Sequence, residues 1–215
     1  MVVGEERDTR ERILQAAEAA IGQFGYYGTR LHYIAERVGI QKASLFHYFP
    51  NKDRLYGEVV ARAVSDTEHV IDRVLKCEAS PADKVRMLIE AYVDLLVAHP
   101  DRAKVLVRQS LGDAPTSHRR FPEMHRLLCA VAAFLADGQQ QQMFRPIDPV
   151  AFVTGVVGMV NLLLSAGPVL IPAWQDGRGN VDVVQQVKQH VLGVVMSCLE
   201  TADRRYADAV ALAPS

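Results

Sequence analysis

Apolar residues recur along this chain at intervals of three and four, and no stretch alternates as a strand would. From Asp8 the positions Ile13, Ala16, Ala17, Ala20, Ile21 and Phe24 fall on one side of a helix. Asp8 and Glu11 have capping-box spacing at its start, and Gly25 stands at its stop. Leu31, Ile34, Ala35 and Val38 predict a short second helix with Thr29 as N-cap and Gly39 as terminator. Residues 42–49 predict a third, closed by Pro50, and Asn51 caps a fourth that reaches about residue 75.

Further along, Ser80-Pro81 combines a cap with proline at the first helical position, predicting a helix over 81–98. Others are expected over 101–111 and 123–136, from Pro149, and from a cap at Asn180 to about 203. The segments "GDAPTSHRRFP", "DGQQQQMFRPIDP" and "AGPVLIPAWQDGRGN" read as connectors. The expected architecture is all-α, without internal repeats.

Composition narrows the setting. With 215 residues, 49% hydrophobic and 23% charged, the chain has the makeup of a globular protein able to bury one large core or two modest ones. Cys77, Cys129 and Cys198 are odd in number and widely spaced, which argues against a disulfide framework or a thiolate metal site. The opening "MVVGEERDTRERI" is charged where a secretory signal needs an apolar run, so a cytoplasmic location is expected.

Residues 149–175 carry no charge and are long enough to span a bilayer. Thr154, Asn161, Ser165, Pro168 and Pro172, with no Lys/Arg asymmetry between Arg145 and Arg178, favour a buried helix and no membrane.

Formal net charge is only −1, so attraction to a polyanion has to be local. It is local in residues 28–56, where Arg30, Arg37, Lys42, Lys52 and Arg54 face only Glu36 and Asp53, a net of +3. The same segment contains "QKASLFHYFPNKDRLY", in which rings crowd one short helix. Helix, glycine turn and helix in this spacing predict a helix-turn-helix, whose second helix enters the DNA major groove.

Leu45 and Phe49, four apart, face inward. Lys42, Ala43, Phe46 and His47 share the other side, and the helix start at Gln41, with small Ala43 and Ser44, lets backbone approach base edges.

The stretch "GYYGTRLHYIAERVGIQKASLFHYFPNKDRLYGEVV", with the helix before it, closely resembles the DNA-binding segment of the TetR family of bacterial transcriptional regulators. The resemblance covers about a quarter of the chain and joins Thr29, Ile34-Ala35, Gly39, Leu45, Phe49 and Asn51-Lys52 in the family's order. It implies phosphate contacts from Thr29 and Lys52, and DNA contacts from His32, Lys42, Ala43, Phe46, His47 and Tyr48.

Two positions depart from the family pattern. Phe46 stands where tyrosine is usual and lacks the phenolic donor, and Arg30 replaces a small hydroxyl residue, adding a cation to the surface. The implied division is a helix-turn-helix domain over 1–52 and a helical effector-binding and dimerisation domain over 53–215. The implied activity is that of a repressor, binding palindromic double-stranded DNA as a homodimer and released by a small effector.

The larger domain offers candidates for both remaining tasks. A helix from Pro149 that is apolar all round needs neighbours on two sides, and a second copy of the chain supplies one of them. Val156 and Val160 there, and the seam Val184, Val187, Val191, Val194 and Cys198 on the last helix, are the expected dimer face, with Gly155 and Gly158 permitting close approach.

Tyr92, Phe121, Met124, Leu128, Phe152, Met159 and Trp174 are candidates for lining an apolar or amphipathic effector, with Asn161, His125 and Arg126 as polar groups to orient it. Nucleophile-elbow, phosphate-loop and dinucleotide motifs are missing, and His118 with His125 makes a poor metal set, so neither enzyme nor cofactor is expected.

Overall fold

The structure, a computed structural model, describes residues 2–113, 122–171 and 181–200. Among the described residues there are nine helices and no strand. They are α1 (Val2–Gly28), α2 (Leu31–Val38), α3 (Lys42–Tyr48), α4 (Lys52–Lys76), α5 (Pro81–Ala98), α6 (Pro100–Ser110), α7 (Pro122–Gln140), α8 (Pro149–Leu170) and α9 (Val181–Leu199).

Packing divides the chain into two units, one of residues 1–67 and 98–122, the other of 68–97 and 123–215. The unit that contains residues 1–52 thus takes in the start of α4 and all of α6.

In the first unit α1 buries Ile13, Ala16, Ala17, Ala20 and Ile21, the expected face. Phe24 does not belong to that face: it is exposed, its ring edge-on to Tyr33. The helix also begins earlier than Asp8, at Val2, so Asp8 and Glu11 lie inside it and cap nothing. Glu11 instead pairs with Arg62 of α4 at 2.6 Å. Partial burial opposes ionisation of Glu11, but hydrogen bonds from Arg62 and Gln15 hold its carboxyl below the usual range.

At Gly25 the helical path breaks at φ 72°, ψ 176°, backbone space open essentially to glycine, and a Cβ there would collide with the Asp113 carboxylate. Arg108 of α6 reaches the carbonyls just before the break: Nε donates to Gly22 O at 3.1 Å and Nη2 to Gln23 O at 3.0 Å. A second arginine of α6, Arg102, is buried and pairs with Glu18 of α1 and Asp66 of α4.

Thr29 does not cap α2. Arg30 occupies that cap position, and the Thr29 hydroxyl donates to Gly25 O at 2.6 Å, tying down the end of α1. Gly39 ends α2 as expected, at φ 79°, with Gly39 N–H donating to Glu36 O and Ile40 N–H to Ala35 O, the two bonds of a Schellman stop. Asn51 Oδ1 accepts Arg54 N–H at 2.8 Å, which is the expected cap of α4.

In the second unit Ser80 caps α5 through a 3.1 Å bond from Asp83 N–H. The core is built from Val85, Ile89, Val93 and Leu96 of α5, Leu127, Ala132 and Leu135 of α7, Val153 and Val160 of α8, and Val187, Val191, Val195 and Leu199 of α9. Lys188 of α9 pairs with Asp94 of α5 at 2.6 Å.

Helix α7 runs one turn beyond the expected 136, through Gly138, because Phe144 folds back onto that glycine, where any Cβ would meet its ring. Asp148, unremarked in the sequence, caps α8 by accepting the Val150 and Ala151 N–H groups at 3.0 Å.

The uncharged helix departs from expectation in two ways. It continues past Pro168 to Leu170, and only 17% of Pro149–Ala166 is buried within the chain, so the helix gives a narrow side to the core and leaves the rest uncovered. By length and composition it is the one described helix able to cross a membrane.

Conversely Val160, Val187 and Val191, expected on a dimer face, are buried inside their own chain, because the three-and-four seam of α9 faces α8 and the core. Val194 is exposed and Val156, Val184 and Cys198 are partly so. His118, Phe121, Pro172, Trp174, Arg178, Asn180 and the expected helix end near 203 lie outside the described residues.

Candidate nucleic-acid interface

Helix α3 has only seven residues, too short to persist alone, and it is held by the two apolar groups on its inner side. Leu45 and the C-cap residue Phe49 have no exposed surface, and the Arg10 guanidinium covers the Phe49 ring at 5.1 Å. The opposite side faces solvent: Gln41, Lys42, Ala43, Phe46 and His47 are exposed, while Ser44 and Tyr48 are partly covered. The crowding of rings thus resolves into one anchor, Phe49, and one displayed ring, Phe46, with Tyr48 at the boundary.

Phe46 lacks the tyrosine hydroxyl, yet it has a neighbour of use: Lys42 Nζ lies over its ring at 5.9 Å, one helical turn away. That contact restrains a long flexible cation at the start of α3. Arg30, the cap residue of α2, and His32 within it are both exposed. Thr29 is not with them: it is buried, with its hydroxyl committed to Gly25 O.

Lys52, at the first position of α4, is set by Tyr26. Its ammonium lies 4.5 Å over the Tyr26 ring, and the Tyr26 hydroxyl donates to the neighbouring Asp53 carboxylate. Partial burial moves the Lys52 pKa down, while Asp53 and Asp113 act against that shift. Partial burial and the Asp53 carboxylate push the Tyr26 phenol up to about 12, so it stays a neutral donor at physiological pH. Among the described residues Lys52 makes no ion pair.

Sequence reasoning assigns Tyr26 no role, although it sits within "GYYG". The only sequence signal for it is an aromatic residue beside the glycine at which α1 breaks. Arg12 is missed likewise: its Nη2 donates to Val38 O at 2.6 Å and pins the end of α2 to α1. The candidate contacts are therefore carried by a braced frame, with Arg10 to Glu58 and Glu11 to Arg62 linking α1 to α4 on its far side.

The candidate effector residues are less concentrated. Tyr92, Met124, Leu128, Phe152 and Met159 belong to the second unit, where all five are partly buried. Asn161 is buried and its side-chain amide donates to the Tyr92 hydroxyl at 2.7 Å. His125 and Arg126 are exposed, and His125 lies 3.5 Å from Cys129 Sγ. No cluster of three metal-binding side chains occurs among the described residues.

Comparison with known proteins agrees with both units. Residues 13–59 match the profile of bacterial regulatory proteins, tetR family, and residues 81–195 match that of the tetracyclin repressor-like C-terminal domain. The chain is 28% identical over 141 residues to the HTH-type transcriptional regulator RutR of Escherichia coli (strain K12), a match covering 65% of this chain and 66% of that protein.

Among solved structures, the TetR family transcriptional regulator PfmR from Thermus thermophilus superposes with a TM-score of 0.69 at 21% identity, covering 88% of this chain and 100% of that one. AibR in complex with isovaleryl coenzyme A and operator DNA gives 0.69 at 22% identity, over 86% and 97%. These two show a shared fold. With the C-terminal profile alone matching more than half its length and the N-terminal profile matching the helix-turn-helix, the chain belongs to the TetR family of bacterial transcriptional regulators.

Proposed function

We propose that the protein is a cytoplasmic repressor that binds a palindromic operator as a homodimer and releases it when a small apolar or amphipathic effector enters the second unit. The observation that carries the DNA-reading part is the two-sided division of residues 42–49, with Leu45 and Phe49 sealed inside and Lys42, Phe46 and His47 displayed. The proposed contact set is Arg30, His32, Gln41, Lys42, Ala43, Ser44, Phe46, His47, Tyr48 and Lys52, with Thr29 acting from beneath as a brace.

Dimerisation is supported by what α8 leaves uncovered. Val150, Leu162 and Val169 of α8 and Val194 of α9 are exposed, and the space beside Gly155, Gly158 and Gly193 is open. An apolar face of this kind is self-complementary under a two-fold axis, and a second copy covers it without a further class of partner. Two reading heads then meet successive major grooves about 34 Å apart.

Effector control follows from linkage: a ligand that prefers the conformer with wrongly spaced heads weakens DNA binding by the same factor that DNA weakens ligand binding. That AibR was solved with both an acyl coenzyme A and operator DNA supports the combination of the two activities on this fold.

The two lysines test the reading separately. Lys42→Ala, at a base-reading position, is expected to lower specific duplex affinity by about 1–3 kcal/mol and to relax sequence preference. Lys52→Ala is expected to weaken all duplexes alike and to reduce the slope of log affinity against log salt by about 1. Fluorescence anisotropy across a salt series checks both, and unchanged affinity in both variants would remove α3 and the start of α4 from the DNA surface.

A further inference from the structure

In the second unit, Asn161 is the one buried polar or charged residue among those described. Its Nδ2 donates to Tyr92 Oη at 2.7 Å and to Val157 O at 2.8 Å. A carbonyl oxygen only accepts, so the Val157 contact fixes which end of the amide faces it. The other end, Oδ1, is buried with no partner, and so is Ser165 Oγ one turn further along α8. Residues 161 and 165 share a helix face, so both atoms belong to one polar spot on an otherwise uncharged helix.

Tyr92 completes it. In its bond with Asn161 the phenol oxygen accepts, which leaves the phenolic hydrogen to donate. Burial keeps that hydrogen in place, pushing the phenol up to about 12 against the opposing effect of Asn161. The spot therefore offers an acceptor, a donor, and a serine hydroxyl that serves as either. Leaving these groups unpaired inside an apolar interior is costly, and an unsatisfied cluster of this kind calls for a ligand or for ordered water.

We propose that Tyr92, Asn161 and Ser165 form a head-group site for a neutral amphipath, one whose uncharged head both donates and accepts hydrogen bonds, as a hydroxyl or a carboxamide does. The inference rests on the reading of the second unit as ligand-binding and deepens it. A hydroxyl or amide N–H satisfies Asn161 Oδ1 while its oxygen takes the Tyr92 or Ser165 hydrogen. A carboxylate has no hydrogen to give, so it would set a negative charge against Oδ1, and no buried cation among the described residues of this unit offsets it. Lys188 is already paired with Asp94. A cationic head fares no better, since that Asp94 carboxylate is itself exposed.

The test uses three probes with one apolar body, octan-1-ol, octanamide and octanoate, titrated by calorimetry at pH 8 into the full chain without DNA. The alcohol and the amide are expected to bind about tenfold tighter than octanoate. Asn161→Leu keeps a similar volume without the acceptor and is expected to bind all three alike, and Ser165→Ala is expected to narrow the difference. Ser165→Ala carries the comparison if the leucine variant fails to melt cooperatively by circular dichroism.

Equal or tighter binding of octanoate, no binding of any probe, or a preference that survives both substitutions overturns the site. A head-group order that appears as expected, with no effect of the probes on duplex affinity, upholds the site and defeats only the effector-release part of the proposed function.

Discussion

Replacing Arg102 with alanine is expected to lower unfolding free energy by about 3 kcal/mol, the lower end of what removing one partner of a buried ion pair costs. Arg102 is 3% exposed, its Nε lies 3.2 Å from Glu18 Oε2, and its Nη1 meets Asp66. Asp66, at 35% side-chain exposure, regains water when the arginine is lost, whereas Glu18, at 12%, stays a poorly solvated carboxylate without its cation.

The substitution also unties three helices together, since Glu18 is on α1, Asp66 on α4 and Arg102 on α6. Lys104→Ala on the same helix removes only a partly exposed pair with Asp101 and is expected to cost under about 1 kcal/mol. Urea unfolding of both variants decides it: equal losses would mean that the Arg102 network contributes no more than a surface pair.

The second large effect concerns the two phenylalanines of the reading head. Phe49→Ala is expected to cost about 3–5 kcal/mol, because it empties a fully buried site that holds α3 in place. Phe46→Ala, at a ring 42% exposed, is expected to change stability by less than about 0.5 kcal/mol while weakening duplex binding. Phe46 therefore separates binding from folding. Hydrogen exchange adds location: in Phe49→Ala the amides of α3 lose protection first, since that helix is short and ends on that ring. Similar destabilisation by the two substitutions would show that the assignment of inner and outer faces is mistaken.

The contrast between these two predictions marks what the chain discloses before any coordinates. The faces of α3 follow from residues three and four apart, and the stops at Gly39 and the caps at Asn51 and Ser80 depend on chemistry within five residues. Such local rules are legible. Arg102 and Arg108 are not, because their partners on α1 lie 84 to 86 positions away and nothing in "PDRAKVLVRQS" separates them from surface arginines.

The misplacement of Thr29 has a local origin. A threonine before a helix satisfies the rule for a cap, but its hydroxyl turns back instead to the Gly25 carbonyl four residues earlier, 2.6 Å away, and the pattern of residues does not separate the two choices. Sidedness along α8 is illegible for a different reason: with no charged residue between 149 and 170, the pattern carries no contrast between inside and outside. The open flank of that helix emerges only when its neighbours are in place. In the candidate effector region, Asn161 stands out in sequence as an isolated polar group, but its unpaired oxygen is a property of packing.

The central claim, that α3 reads DNA from a two-fold pair of heads, is tested most directly by selecting duplexes from a random-sequence pool with the purified chain at moderate salt. The expected product is an inverted repeat with half-sites centred about one helical turn, some 10 base pairs, apart. Recovery of unenriched sequence even at low ionic strength, or of a single unpaired half-site, would contradict it.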